Sequence, residues 1–153
     1  MRAAALALLA GCGGGPPSPP VFVVQHDAVA PDLGAVLRAE RETAAASGRC
    51  TVAQVYADWC GPCKELRASM DDARMQDAFR GVHLVRLELG AWDAQLRAQR
   101  EEINLPTLYI VEPDGKLGRS IDGSAWGPNT PENMASPLSA FFDDVCGPRA
   151  PRG

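Results

Sequence analysis

The spacing of apolar residues alternates along this chain between short continuous runs and helical stripes. A β-prone run over 21–25 is followed by a helix over 32–46, whose stripe is Leu33, Val36 and Leu37 and which Ser47-Gly48 ends. A buried strand is predicted over 51–57, where β-branched and apolar residues are continuous. Cys63, Leu66, Met70 and Ala73 then recur at helical spacing. Asp71-Asp72 reads as a break and an N-cap for a second short helix carrying Met75 and Phe79, closed by Gly81. A strand over 82–89 leads into a helix marked by Trp92, Leu96, Gln99 and Ile103, imperfect at Gln99. Strands over 107–111 and 117–121 flank Glu112-Pro113-Asp114-Gly115, a strong hairpin turn. The last helix is expected to start at Ser136-Pro137, to face inward with Leu138, Phe141, Phe142 and Val145, and to stop at Gly147. The order β-α-β-α-β-α-β-β-α predicts an α/β fold, a mixed central sheet with helices on both faces.

The first residues follow neither period. Residues 1–11 carry one positive charge, an apolar run and then small residues, the form of a signal peptide. Leu9-Ala10-Gly11-Cys12 resembles the lipobox of bacterial lipoproteins, which implies cleavage before Cys12 and lipid attachment to it. With Cys12, the Gly/Pro segment through residue 20 reads as a tether to a bilayer. The expected location is the bacterial envelope, facing the periplasm, with the outer membrane favoured in a Gram-negative source because no aspartate follows Cys12. The folded domain is expected over 21–147, with a disordered tail over 148–153.

Composition narrows the function. At 153 residues and 46% hydrophobic there is material for one globular domain, expected to act as a monomer. A net charge of -4 without a basic stripe argues against nucleic acid as a partner.

Trp59-Cys60-Gly61-Pro62-Cys63 falls where the central strand gives way to a helix. There the unpaired N–H groups and the positive end of the helix dipole stabilise a thiolate at Cys60, and Pro62 suits the first turn because its missing N–H costs nothing. Cys63, one turn inside, is the natural resolving thiol. No further ligands stand at zinc-site spacing, so a metal is not expected, and the only cofactor needed is the redox-active Cys60–Cys63 disulfide. Of the five cysteines, Cys12 is assigned to lipid, which leaves Cys50 and Cys146 beside the redox pair. The topology brings both to the sheet end opposite Cys60, where they form either a structural disulfide or two separate buried thiols.

Trp59 to Lys64, with Leu105-Pro106-Thr107 about 40 residues on and the Pro-Asp-Gly-Lys hairpin, resembles thioredoxin. Tyr56-Ala57-Asp58, Lys64-Glu65-Leu66 and the stretch Asp71 to Phe79 are similar to the C-terminal thioredoxin-like domain of the DsbD reductases. The resemblance implies the thioredoxin fold, with Cys60 as exposed nucleophile and Cys63 as resolver. It also implies a cis bond before Pro106, and Trp59, Gly61 and Pro62 supporting the site. Leu105 and Thr107 would then line the substrate groove. Trp126, in the long loop over 123–136, is expected to join that groove at the active-site end. Such proteins carry a buried acid five residues before the tryptophan, where this chain has Gln54, which cannot accept a proton at neutral pH. Resolution by Cys63 is then slower, or uses Asp58 or Glu65. Arg67 stands where the DsbD domain tends to an acid, and it either points inward and favours a thiolate or forms part of a solvated face. His26 and His83 are expected in packing or surface roles.

The resulting expectation is an envelope thiol-disulfide oxidoreductase acting on protein disulfides. It would be reduced by a membrane electron donor of the DsbD or CcdA type. Two alternatives stay open, a dithiol oxidase of the same fold and a non-enzymatic peptide-binding module.

Overall fold

The computed structural model describes residues 21–26 and 32–149. The signal-like segment 1–11, Cys12 and the tether to residue 20 lie outside them. Five strands form one sheet in the order β1-β3-β2-β4-β5, built from β1 (Val21–His26), β2 (Cys50–Tyr56), β3 (Val82–Glu88), β4 (Thr107–Val111) and β5 (Leu117–Asp122). The first three are parallel, and β4 and β5 join antiparallel, so the sheet is mixed.

Side chains alternate across β2 because successive residues of a strand point to opposite faces. Val52, with Leu84 and Leu108, meets the helices α2 (Gly61–Ala68), α3 (Ala73–Ala78) and α5 (Pro131–Cys146) through Leu66, Met75, Leu138 and Phe142. Ala53 and Val55, with Val85 and Leu87, meet α1 (Leu33–Ala46) and α4 (Leu89–Gln99) through Leu37, Trp92 and Leu96. The result is two separate cores, one on each side of a sheet whose central strand is buried along nearly its whole length. None of the described helices is long and apolar enough to cross a membrane.

Local chemistry fixes the ends of these elements. Asp72 caps α3 by accepting from the Arg74 N–H at 2.9 Å. Hydrogen bonds from the Arg74 side chain and backbone, with its charge, bring the Asp72 carboxyl down to about 2. In the β4–β5 hairpin Gly115 has φ +81°, and a Cβ there would stand 2.2 Å from the Gly34 carbonyl oxygen, so the turn seats backbone against the start of α1.

Three boundaries depart from the sequence reading. The last helix begins at Pro131, not at Ser136-Pro137: Thr130 stands at the N-cap, Pro131 occupies the first turn and Glu132 favours the positive end of the dipole. Pro137 lies inside the helix, which forgoes one backbone bond there while Met134, Leu138 and Phe142 bury its inner face. Second, α4 ends at Gln99, because the Gln99 side chain turns to accept from the Leu117 N–H at 2.9 Å and so serves β5. Third, Arg149, expected in a disordered tail, is 7% exposed and held by Asp143 at 2.7 Å and the Ser139 hydroxyl at 2.9 Å.

Cys50 and Cys146 are joined in a disulfide with Cα atoms 5.7 Å apart, tying the start of β2 to the end of α5. The two histidines share one carboxylate: Glu40 on α1 meets His26 Nε2 at 2.8 Å and His83 Nε2 at 2.7 Å, fastening the helix to neighbouring strands β1 and β3.

The Glu40→Ala substitution should lower the urea-unfolding free energy by about 1 to 3 kcal/mol, since it strips the acceptor from two imidazoles. An unchanged midpoint would remove the fastening role. Replacing Cys50 and Cys146 together by serine should cost about 2 to 4 kcal/mol in the same measurement.

Candidate redox site

β2 ends at Tyr56, and four residues later Cys60 takes the N-cap position of α2 with extended backbone (φ -78°, ψ 109°). The geometry follows from the sequence. Pro62 has no N–H to leave unpaired in the first turn. The Cys60 sulfur accepts from the Cys63 N–H at 3.1 Å, so the atom that would carry thiolate charge already lies against a helix-terminal donor. Cys60 and Cys63 are bonded to each other, with Cα atoms 5.3 Å apart.

In this closed form neither sulfur residue stands out from the surface. Cys60 is 4% exposed and Cys63 2%, which corrects the expectation of an exposed Cys60. The burial has a plain cause: both cluster with Tyr56 and Ala57, and Leu89 and Leu105 pack against that cluster. What the surface presents instead is Trp59, 75% exposed, beside exposed Gly61 and Pro62.

The loop before β4 supplies the other wall. The Leu105–Pro106 peptide bond is cis, Pro106 is buried and Leu105 is half-buried against the cysteine cluster. Thr107 is buried, and its hydroxyl donates to the Asn104 carbonyl, so its side chain serves the loop instead of lining a groove. Trp126 is likewise not in a groove. It is 7% exposed and belongs to the core with Val52, Leu66 and Phe142. Its indole N–H donates to Asn129 at 2.9 Å, and Asn129 donates to Glu65 on α2 at 2.8 Å, so the loop braces the redox helix from the side.

Gln54 is 3% exposed and its carbonyl oxygen accepts from Arg86 Nε at 3.2 Å. Arg86 also donates to Gln25 at 2.8 Å and lies 4.0 Å over the Tyr56 ring, within the range of a cation–π contact. This buried arginine escaped the sequence reading. Its signal was there: a cation inside the otherwise apolar stretch of β3, two residues before the strand's end. Asp58, Glu65 and Arg67 are all exposed, so Arg67 belongs to the solvated side of α2.

Against this geometry, the thioredoxin family model matches residues 39–137. The chain is 31% identical over 88 residues to the thiol:disulfide interchange protein DsbD of Tatumella citrea, covering 55% of this chain and 15% of that protein. It is 32% identical over 82 residues to a protein disulfide-isomerase of Zea mays, covering 50% of this chain and 16% of that one. The chain thus spans about a sixth of the length of these curated relatives. Among solved structures, a disulphide isomerase from Xylella fastidiosa Temecula1 shares the fold, with a TM-score of 0.54, 19% identity, and coverage of 79% of this chain and 95% of that one.

After reduction, Cys60 should alkylate with iodoacetamide with a midpoint below about 7.5, lower than the ordinary thiol near 8.5, because the helix terminus favours its thiolate. A midpoint at or above 8.5 would show that the terminus does not activate it.

Proposed function

The chain belongs to the thioredoxin family, and from that premise we propose that it is an envelope thiol-disulfide oxidoreductase that reduces or exchanges disulfides of other proteins. The observation that supports this best is the placement of Cys60: a sulfur at the start of α2, bonded to Cys63 and accepting its N–H.

In the reducing direction the Cys60 thiolate attacks one sulfur of a substrate disulfide. The Cys60–substrate bond forms, the substrate disulfide breaks and one substrate thiolate leaves. Cys63, deprotonated, then attacks the Cys60 sulfur, and the second substrate thiolate leaves. The two electrons come from the dithiol, which ends as the Cys60–Cys63 disulfide. Trp59 and the Leu105–Pro106 loop offer the incoming chain an apolar contact on either side of the pair.

Return to the dithiol requires two electrons and two protons, and a membrane donor of the DsbD or CcdA type would supply the electrons. The likeness to the Tatumella citrea interchange protein supports that choice of partner. Lipid attachment at Cys12, read from Leu9-Ala10-Gly11-Cys12, would hold the domain at a membrane surface on the periplasmic side, where the tether lets it reach disulfide partners.

The equilibrium of Cys60/Cys63 with a dithiothreitol or glutathione buffer tests the direction. A potential of about -270 mV is expected for a reductase, whereas about -120 mV would make the protein a donor of disulfides. Cys63→Ser should accumulate mixed disulfides through Cys60 with envelope proteins. A variant that trapped nothing covalently would favour a peptide-binding module.

A further inference from the structure

Between α2 and the β1 edge of the sheet lies a cleft of about 270 Å³. Parallel pairing sets Gln25 opposite Arg86 and Arg86 opposite Gln54, so three polar side chains form one row across β1, β3 and β2 on its floor. The wall above is apolar, made by Leu66 of the redox helix and Met70 in the 3-10 turn just after it, together with Phe79 and Leu84. Exposed Arg67 and Val23, the latter 48% exposed, stand at the mouth.

The polar row settles which way the Gln54 amide points. Its oxygen accepts from Arg86 Nε at 3.2 Å, so its NH₂ group faces away from that bond. That nitrogen is buried, on a residue 3% exposed, and has no acceptor among the described residues. A buried donor left unpaired is costly, and the cleft is the space in which an acceptor would sit. The chemistry of the lining says which kind. Its ionisable groups are Arg67 and Arg86, with no carboxylate among them, so the preferred guest carries negative charge. Apart from the amides of Gln25 and Gln54, the rest of the lining is hydrocarbon, which suits a guest with an apolar tail better than a fully hydrated inorganic anion. At about 30 Å³ per heavy atom of liquid density, the volume holds about nine heavy atoms.

We propose that this cleft binds a small aliphatic carboxylate. Its head accepts from Gln54 Nε2 beside the Arg86 guanidinium on the floor, Arg67 adds positive charge at the mouth, and its tail lies on Leu66, Met70, Phe79 and Leu84. The site is separate from the redox reading, since it is complete with the Cys60–Cys63 disulfide closed and requires no turnover.

Titration of the oxidised full chain with propionate, butyrate and hexanoate, followed by amide NMR, tests the assignment. Saturable shifts are expected at the Gln54 side-chain NH₂ and along α2, with affinity rising about fourfold per added methylene. Hexanol should bind at least about tenfold more weakly than hexanoate, because it lacks the charge the arginines select. Arg67→Ala, at an exposed position that leaves folding intact, should weaken hexanoate several-fold, and Gln54→Leu should abolish the shifts. The proposal is overturned if hexanoate gives no saturable shift, so that the cleft holds water only. It is equally overturned if hexanol matches hexanoate, or if folded Arg67→Ala binds as tightly as the parent chain.

Discussion

The structure depends on one junction, the hand-over from β2 to α2. β2 lies in the middle of the sheet, paired with β3 on one side and β4 on the other, and is buried along nearly its whole length. A strand so fixed leaves its last residue little freedom, and the helix that follows inherits its position from it. The hydrogen bond from the Cys63 N–H to the Cys60 sulfur is therefore made at a place defined by two cores and two neighbouring strands. Pre-organisation of this kind matters for a sulfur that must be charged to react, because donors already in place need not be reorganised when the charge appears.

The far end of the molecule is fastened independently. Cys50 opens β2 and Cys146 closes α5, and their disulfide closes the end of the sheet away from Cys60. Glu40 ties α1 to β1 and β3 on the other face. The Cys60–Cys63 bond lies past the opposite end of β2 from this fastening. The two bonds thus divide the work, Cys50–Cys146 holding the scaffold and Cys60–Cys63 available to chemistry.

Much of this was legible in the sequence because burial writes itself as periodicity. The runs over 51–57 and 82–89 and the stripe of Cys63, Leu66 and Met70 each gave an element in its right place, with boundaries off by a residue or two. The failures share a physical cause, a side chain whose partner is distant along the chain. Gln99 looked like a flaw in a helical stripe because its partner, the Leu117 N–H, is 18 residues away. Trp126 looked like a groove residue because it stood in a long loop over 123–136 at the active-site end, yet helix α5 beginning early at Pro131 shortens the loop and Trp126 lies in the core. Arg86 was passed over within an apolar run, since only the strand register shows that it lies between two glutamines.

That register also defines what is unusual in the interior beneath α2. The row Gln25–Arg86–Gln54 puts neutral amides where a buried carboxylate was expected from the resemblance, and the two carboxylates nearest in sequence to the pair, Asp58 and Glu65, are exposed. A neutral amide can orient a proton but cannot take one at neutral pH. Gln54 therefore supplies no base beneath α2, and a buried cation on the Tyr56 ring favours the negative form of a titratable group beside it. The Gln54 NH₂, without an acceptor among the described residues, lies beside the positive charge of Arg86, whose own Nε and Nη1 groups donate to Gln54 and Gln25. With the proposed carboxylate in place, the negative charge beneath α2 would come from a guest, where a buried acid would have supplied it from the chain.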